Sequence, residues 1–166
     1  MGTLAACATA LALAGCGGGT TGPTANIVSF PGTWQFTAEI TNAPGLGNCV
    51  DNGQLFLQGS NTALGGTFGY TWTCDELGHG EEGGPFAAVT SSGDGLSFSF
   101  TLADWPGASC NATGTATPKG ETSPAETSPA PQDRIDGSMT CILPATFGGV
   151  TQTYTFTGPW SAARQS

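Results

Sequence analysis

One stretch of the chain concentrates side chains that could ligate a metal or move a proton. The single histidine, His79, lies in a glycine-rich segment with Asp75, Glu76, Glu81 and Glu82. Carboxylates and an imidazole are ligands that Ca²⁺ or Zn²⁺ accepts, so His79, Glu81 and Glu82 are candidate metal ligands. The same residues are equally typical of a solvated acidic loop without a metal. We favour that interpretation and expect no resident cofactor.

The residue inventory disfavours several classes of function. A catalytic nucleophile needs a base and a partner that orients it, and the sequence has no Ser/His/Asp set, Cys-x-x-Cys motif or phosphate-binding loop. The net charge is -9 with three basic residues, whereas nucleic-acid binding needs clustered lysine and arginine. We therefore expect a protein that is not an enzyme and does not bind nucleic acid.

Residues 1–15 are typical of a signal peptide, because the apolar run is too short to cross a bilayer as a helix. The run ends in Leu-Ala-Gly-Cys at residues 13–16, which resembles the lipobox of bacterial lipoproteins. The resemblance implies cleavage before Cys16, attachment of a diacylglycerol (palmitate-type) lipid to its sulfur, and anchoring in the cell envelope by lipid alone. Gly17 in place of Asp favours the outer membrane, on its periplasmic or surface face. An ordinary secretory signal is the alternative, and it also implies export.

Four cysteines remain if the signal peptide is removed and Cys16 carries lipid. An even number in an oxidising compartment suggests two disulfides, and three pairings are possible. We favour Cys49–Cys74 with Cys110–Cys141, because each pair would close two neighbouring antiparallel strands. These cysteines are better explained as structural cross-links than as nucleophiles.

The stretch from Cys49 to Cys74 predicts a sheet register. Two strand-like runs flank the turn formers at residues 59–62. A turn centred there sets Cys49 opposite Cys74 and Leu55 opposite Phe68. It also places the large apolar residues on one face of the ribbon and Thr and Gly on the other.

Alternation of apolar residues with Thr, Ser and Gly recurs along the chain. The six predicted strands outside this hairpin span residues 33–41, 86–90, 96–102, 110–118, 134–141 and 150–156. Eight neighbouring strands predict an all-β, antiparallel up-and-down meander barrel, since closure removes exposed edges. A transmembrane barrel would turn the apolar face outward. The polar face carries Thr and Ser with few charges, which favours a soluble barrel with the apolar face inside.

The chain is predicted to have three parts. Residues 1–15 form the signal peptide, residues 16–31 a lipid-anchored flexible tether, and residues 32–166 the barrel domain. Within the domain, a tandem Glu-Thr-Ser-Pro-Ala repeat predicts a disordered loop over residues 118–133. We expect a monomer that contacts the membrane only through its lipid.

The sequence Gly32-Thr33-Trp34 before the first strand, with Arg164 after the last, resembles the signature of the calycin superfamily of lipocalins and avidins. Residues 65–68, Gly-Gly-Thr-Phe, are also similar to the Gly-Thr-Tyr-type strand of avidins. The resemblance covers residues 32–164 in topology. It implies a small barrel in which Trp34 stacks beneath Arg164, a cation–π contact that joins the first strand to the last. It implies no particular ligand.

Aromatic residues on the apolar face are the candidate ligand-binding residues: Tyr70, Trp72, Phe98, Phe100 and Tyr154. The facing wall is small: Ala112, Gly114, Ala116 and Gly137. We predict a non-enzymatic, lipid-anchored envelope barrel that binds a small apolar or aromatic molecule. The alternative is a structural or protein-interaction lipoprotein with a filled barrel that acts through its loops. A connected cavity of roughly a few hundred Å³ would favour the first, and a solid core the second.

Overall fold

The computed structural model of the protein describes residues 28–43, 46–103, 105–122, 127–128, 130–147 and 150–166. The predicted signal peptide, Cys16 and most of the predicted tether lie outside the described residues. Within the described part of the chain, no helix is long and apolar enough to cross a membrane.

The described chain forms nine strands: β1 (Gly32–Ala43), β2 (Gly47–Ser60), β3 (Ala63–Cys74), β4 (Gly78–Pro85), β5 (Ala88–Ser92), β6 (Gly95–Thr101), β7 (Ser109–Thr117), β8 (Arg134–Phe147) and β9 (Val150–Arg164). They belong to one curled sheet with the order β4-β3-β2-β1-β9-β8-β7-β6-β5. Every paired neighbour is consecutive in the chain except β1 and β9, which also pair antiparallel. The all-β, antiparallel prediction is confirmed.

The strand count and the closure of the barrel differ from the prediction. The segment predicted as an acidic loop forms β4, which pairs along its length with β3, and the sheet stays open between β4 and β5. The chain itself crosses this seam: Phe86 N–H donates to the carbonyl of Gly66 at 3.1 Å and Ala87 N–H to that of Ser99 at 2.7 Å. Backbone hydrogen bonds do not depend on apolar alternation, so a Gly/Glu-rich segment can pair with β3.

The apolar face of the curled sheet points inward, as predicted. On β1, the side chains of Trp34, Phe36, Ala38 and Ile40 are at most 5% exposed. The last strand is longer than the predicted 150–156, because the inward alternation continues through Trp160 to the end of β9. Burial of these apolar faces is the main favourable term in folding.

Two disulfides cross-link the sheet with the favoured pairing. Cys49 lies opposite Cys74 between β2 and β3, and Cys110 lies opposite Cys141 between β7 and β8. The register of the first hairpin is the predicted one, with Leu55 opposite Phe68 and not shifted by a residue. Both disulfides lie toward the same end of the barrel, which we call the mouth.

The opposite end, which we call the closed end, is covered by residues 28–31, which come directly before β1. The Trp34 indole donates its Nε1–H to the carbonyl of Phe30 at 2.8 Å. Phe30, which is fully buried, in turn donates its backbone N–H to Asn61 Oδ1 at 2.8 Å. Arg164 lies over Trp34 and donates from Nη1 to the carbonyl of Pro31 at 3.1 Å. The contact implied by the calycin resemblance is therefore present.

The predicted loop at residues 118–133 is only partly described, since residues 123–126 and 129 are not. Its two sides meet where Gly120 N–H donates to the carbonyl of Ala130 at 2.9 Å. Ala130 is buried, 4% exposed, so the loop packs against the barrel at this point.

Candidate functional site

The middle of the barrel is filled by aromatic rings. Phe98 and Phe100 lie there, with 4.4 Å between the ring centres of Phe68 and Phe100 and 5.1 Å between those of Phe98 and Trp160. The space left among these side chains is about 10 Å³. That volume is no more than one water molecule needs, so the middle of the barrel is packed core.

The small wall predicted from the sequence makes room for Trp160. A Cβ atom on Gly114 would lie 2.8 Å from the Trp160 ring, closer than packed side chains approach. The indole also donates its Nε1–H to the carbonyl of Thr113 at 3.0 Å. The small residues therefore let a large ring fill the barrel instead of leaving a cavity.

A separate cavity of about 60 Å³ lies at the mouth. It holds a few water molecules or one small organic group. Both disulfides contribute to its wall, and the other lining residues are Ile40, Leu46, Asp51, Tyr70, Trp72, Leu77, Glu82, Leu102, Trp105, Leu143 and Phe156.

Two carboxyl groups project into this mainly apolar mouth from β2 and β4, the two strands that flank β3. Asp51 lies on the inward face of β2 directly opposite Trp72 of β3, and Tyr70 lies opposite Glu82 of β4. Asp51 is 7% exposed and Glu82 is 8% exposed. The register of three adjacent strands thus brings two acids and two aromatic rings together.

The two carboxyl groups differ in their surroundings. Glu82 accepts a hydrogen bond from the backbone N–H of Ala103 at 3.2 Å. For Asp51, burial raises the pKa to about 7, and no hydrogen bond or ion pair from the described residues stabilises its ionised form. Burial also raises the pKa of Tyr70, and the charges of Asp51 and Glu82 raise it further.

Basic residues are absent from the mouth, because all three in the chain lie toward the closed end. Arg164 and Arg134 form ion pairs with Asp133 and Asp136 at 3.1 and 2.7 Å. Lys119 is on the loop between β7 and β8, where its backbone N–H donates to Asp133. None of the described residues that line the mouth cavity is a lysine or an arginine.

The indole of Trp72 forms one wall of the mouth cavity. It lies against the backbone of β4 at Gly80, where an added Cβ atom would overlap the ring. The mouth can thus hold a small group between aromatic surfaces and present one carboxyl that exchanges its proton near neutral pH. The described residues that line the mouth include no nucleophile with an adjacent base.

Of the five predicted ligand-binding residues, the structure brings Tyr70 and Trp72 together at the mouth. Phe98 and Phe100 belong to the packed middle of the barrel. Tyr154 lies on the part of β9 that extends past the mouth, and its hydroxyl donates to a glutamine of the same strand at 2.8 Å.

The three candidate metal ligands do not form one site. His79 and Glu81 lie on the exposed outer face of β4, whereas Glu82 points into the mouth. Among the described residues, no three His, Cys, Asp or Glu side chains are close enough together to hold a metal ion.

Sequence reasoning missed Asp51 and Trp160. The predicted hairpin register already sets Asp51 opposite Trp72 on the apolar face, and a charged residue on such a face is a usable signal. Trp160 continues the alternation of β9 and could have been found in the same way. Comparisons with protein-family models, with curated proteins and with solved structures find no match to this chain.

Proposed function

We propose that the protein is a non-enzymatic, lipid-anchored protein of the bacterial envelope that binds a small molecule at the mouth of its barrel. The observation that carries this proposal is the mouth cavity of about 60 Å³ beside the buried carboxyl of Asp51, which has no hydrogen-bond or ion-pair partner among the described residues. A buried polar group without a partner is destabilising, so the presence of Asp51 in a mainly apolar wall supports a binding role.

The position of the N-terminal segment supports an orientation for this module. Residues 28–31 cover the closed end, where the Phe30 and Pro31 carbonyls accept hydrogen bonds from Trp34 and Arg164. A chain lipidated at Cys16 would therefore enter the barrel at the end opposite the mouth. The mouth would then face away from the membrane and be accessible to small molecules.

A structural or protein-interaction role is the second candidate, and two observations favour it. The middle of the barrel is filled, with about 10 Å³ left over. In addition, β8 pairs with β7 only as far as Ile142, whereas it pairs with β9 as far as Phe147, opposite Val150. The ends of β8 and β9 therefore project from the barrel as a hairpin. Ile142 is 39% and Val150 61% exposed, so this projecting hairpin offers apolar contacts to another protein.

Native mass spectrometry of the full-length protein extracted from its own envelope tests the proposal. We expect the mass of a lipid on Cys16, lost in Cys16→Ser, and a non-covalent small molecule that is lost in Asp51→Asn. A protein that carries no small molecule and binds none when challenged would contradict the binding role. Recovery of a partner protein that is lost in Val150→Asp would support the second candidate instead.

A further inference from the structure

We propose that the mouth cavity takes a small organic cation, an alkylammonium group held by Asp51 and faced by the ring of Trp72. This inference rests on the proposed function and names the ligand class of the same site. It follows from the missing partner of Asp51, the aromatic wall beside it and the distribution of charge over the barrel.

Asp51 is the group at the mouth that a bound ligand would stabilise most. Its side chain lines the cavity, is 7% exposed and receives no hydrogen bond or ion pair from the described part of the chain. An ionised carboxylate buried without a partner is strongly unfavourable, and a bound cation removes that penalty. A purely apolar ligand would increase the desolvation of Asp51 without supplying a charge or a hydrogen bond to its carboxylate.

The aromatic wall suits the apolar part of such a cation and its positive charge. Trp72 is directly opposite Asp51, and Tyr70, Trp105 and Phe156 also line the cavity. An ammonium group within about 6 Å of a ring centre is attracted to the ring face, most strongly to tryptophan. Carboxylate and indole side by side therefore match an organic cation better than an anion or a neutral hydrocarbon.

The distribution of charge also favours a cation. The chain has a net charge of -9, and its three basic residues lie toward the closed end. Glu82 adds a second carboxyl to the mouth, next to Tyr70. A cleft lined by charges of one sign raises the local concentration of the opposite ion.

A metal ion is a poorer fit than an organic cation. Calcium takes about 6–8 oxygen ligands, whereas the mouth supplies two carboxyl groups among apolar and aromatic side chains. The cavity of about 60 Å³ accommodates an ammonium head with a few carbons. A longer ligand would extend out through the mouth.

Binding of a cation is expected to release a proton. The titratable groups that face Asp51 are Tyr70 on β3 and Glu82 on β4, and no basic group faces it among the described residues. Asp51 binds its proton with a pKa of about 7 in the free protein, and a cation favours the ionised form. Affinity should therefore rise with pH and level off above neutrality, falling about tenfold per unit on the acid side.

Calorimetric titration of the full-length protein with n-butylammonium tests this ligand class, with n-butanol as the neutral analogue. At pH 8 we expect butylammonium to bind at least about tenfold more tightly than n-butanol. We expect Asp51→Asn to lose that preference. Glu81→Gln, which removes an exposed carboxylate from the outer face of the neighbouring strand β4, is the matched control and should bind normally.

Proton release by the unaltered protein provides a test that does not depend on the folding of a variant. At pH 6, titrations in buffers with different ionisation enthalpies should show close to one proton released per cation bound. Equal binding of butylammonium and n-butanol, without proton release, would overturn the ligand class and leave small-molecule binding standing. If neither binds, and no molecule co-purifies, the proposed function fails as well.

Discussion

The guanidinium carbon of Arg164 lies 4.8 Å from the centre of the Trp34 ring, which joins the end of the last strand to the start of the first. Arg164 Nε also lies 3.1 Å from a carboxylate oxygen of Asp133, a contact between charges and not an aligned hydrogen bond. With the hydrogen bond to Pro31, one side chain connects β1, β9 and the covering segment at the closed end.

Replacement of Arg164 by alanine should therefore destabilise the fold. We expect a loss of about 2 kcal/mol in the free energy of unfolding, from a partly desolvated cation–π contact and a hydrogen bond. Chemical denaturation followed by tryptophan fluorescence measures it. Arg134→Ala is the control, because its ion pair with Asp136 is about one third exposed and such pairs contribute about 0.5 kcal/mol. Equal losses in the two variants would contradict the role of Arg164.

The two disulfides should contribute almost equally to stability. Their cysteines are 25 and 31 residues apart, so the loop-closure entropy predicts a loss of about 3.5 kcal/mol for each paired Cys→Ala replacement. Denaturation of the two double variants tests this.

A reductant should open Cys49–Cys74 first, since these cysteines are 4% and 7% exposed against 1% and 4% for Cys110 and Cys141. Alkylation of the freed thiols and mass spectrometry show the order of reduction. Opening of Cys110–Cys141 first would be inconsistent with this burial.

The raised pKa of Asp51 should make stability depend on pH. The folded protein holds this proton up to about pH 7, whereas the unfolded chain releases it near 3.8. The contribution of Asp51 is therefore fully present below pH 3.8 and is lost as the pH rises to about 7, by up to about 4 kcal/mol. Asp51→Asn lacks this titration, so the variant should gain stability relative to the unaltered protein between pH 4 and about 8. Chemical denaturation of both proteins at a series of pH values measures this difference in the free energy of unfolding. A difference that stays constant with pH would show that Asp51 has an ordinary pKa.

Gly80 should control the position of the Trp72 indole. An alanine Cβ would overlap the ring, so Gly80→Ala should move Trp72 into the cavity, shift the tryptophan emission and reduce ligand uptake at the mouth. We expect a destabilisation of about 1–3 kcal/mol, typical of overpacking. Gly65→Ala is the control, because no atom outside its chain neighbours lies within 4 Å of the added Cβ. An unchanged emission spectrum in Gly80→Ala would indicate that the ring is not held there.

Much of the sheet follows from the sequence, because strand register depends on spacing along the chain. Alternation of apolar with Thr and Ser residues determines which face is buried, and a turn at residues 59–62 sets Cys49 opposite Cys74. The same reasoning favours Cys110 opposite Cys141 among the three possible pairings, and the structure has this pairing. These features need only the period of a strand and the position of a turn.

The remaining features of the fold and the site were decided by the tertiary structure. They depend on side chains and backbone groups that come together from distant parts of the chain. Gly78–Pro85 is a strand because β3 supplies its hydrogen-bond partners, not because its residues favour strands. Whether the small wall left a cavity depended on Trp160, which packs over Gly114. The site at the mouth arises where β2, β3 and β4 meet. There, burial of Asp51 without a basic partner, a property of the assembled barrel, makes an ordinary carboxyl a candidate for binding.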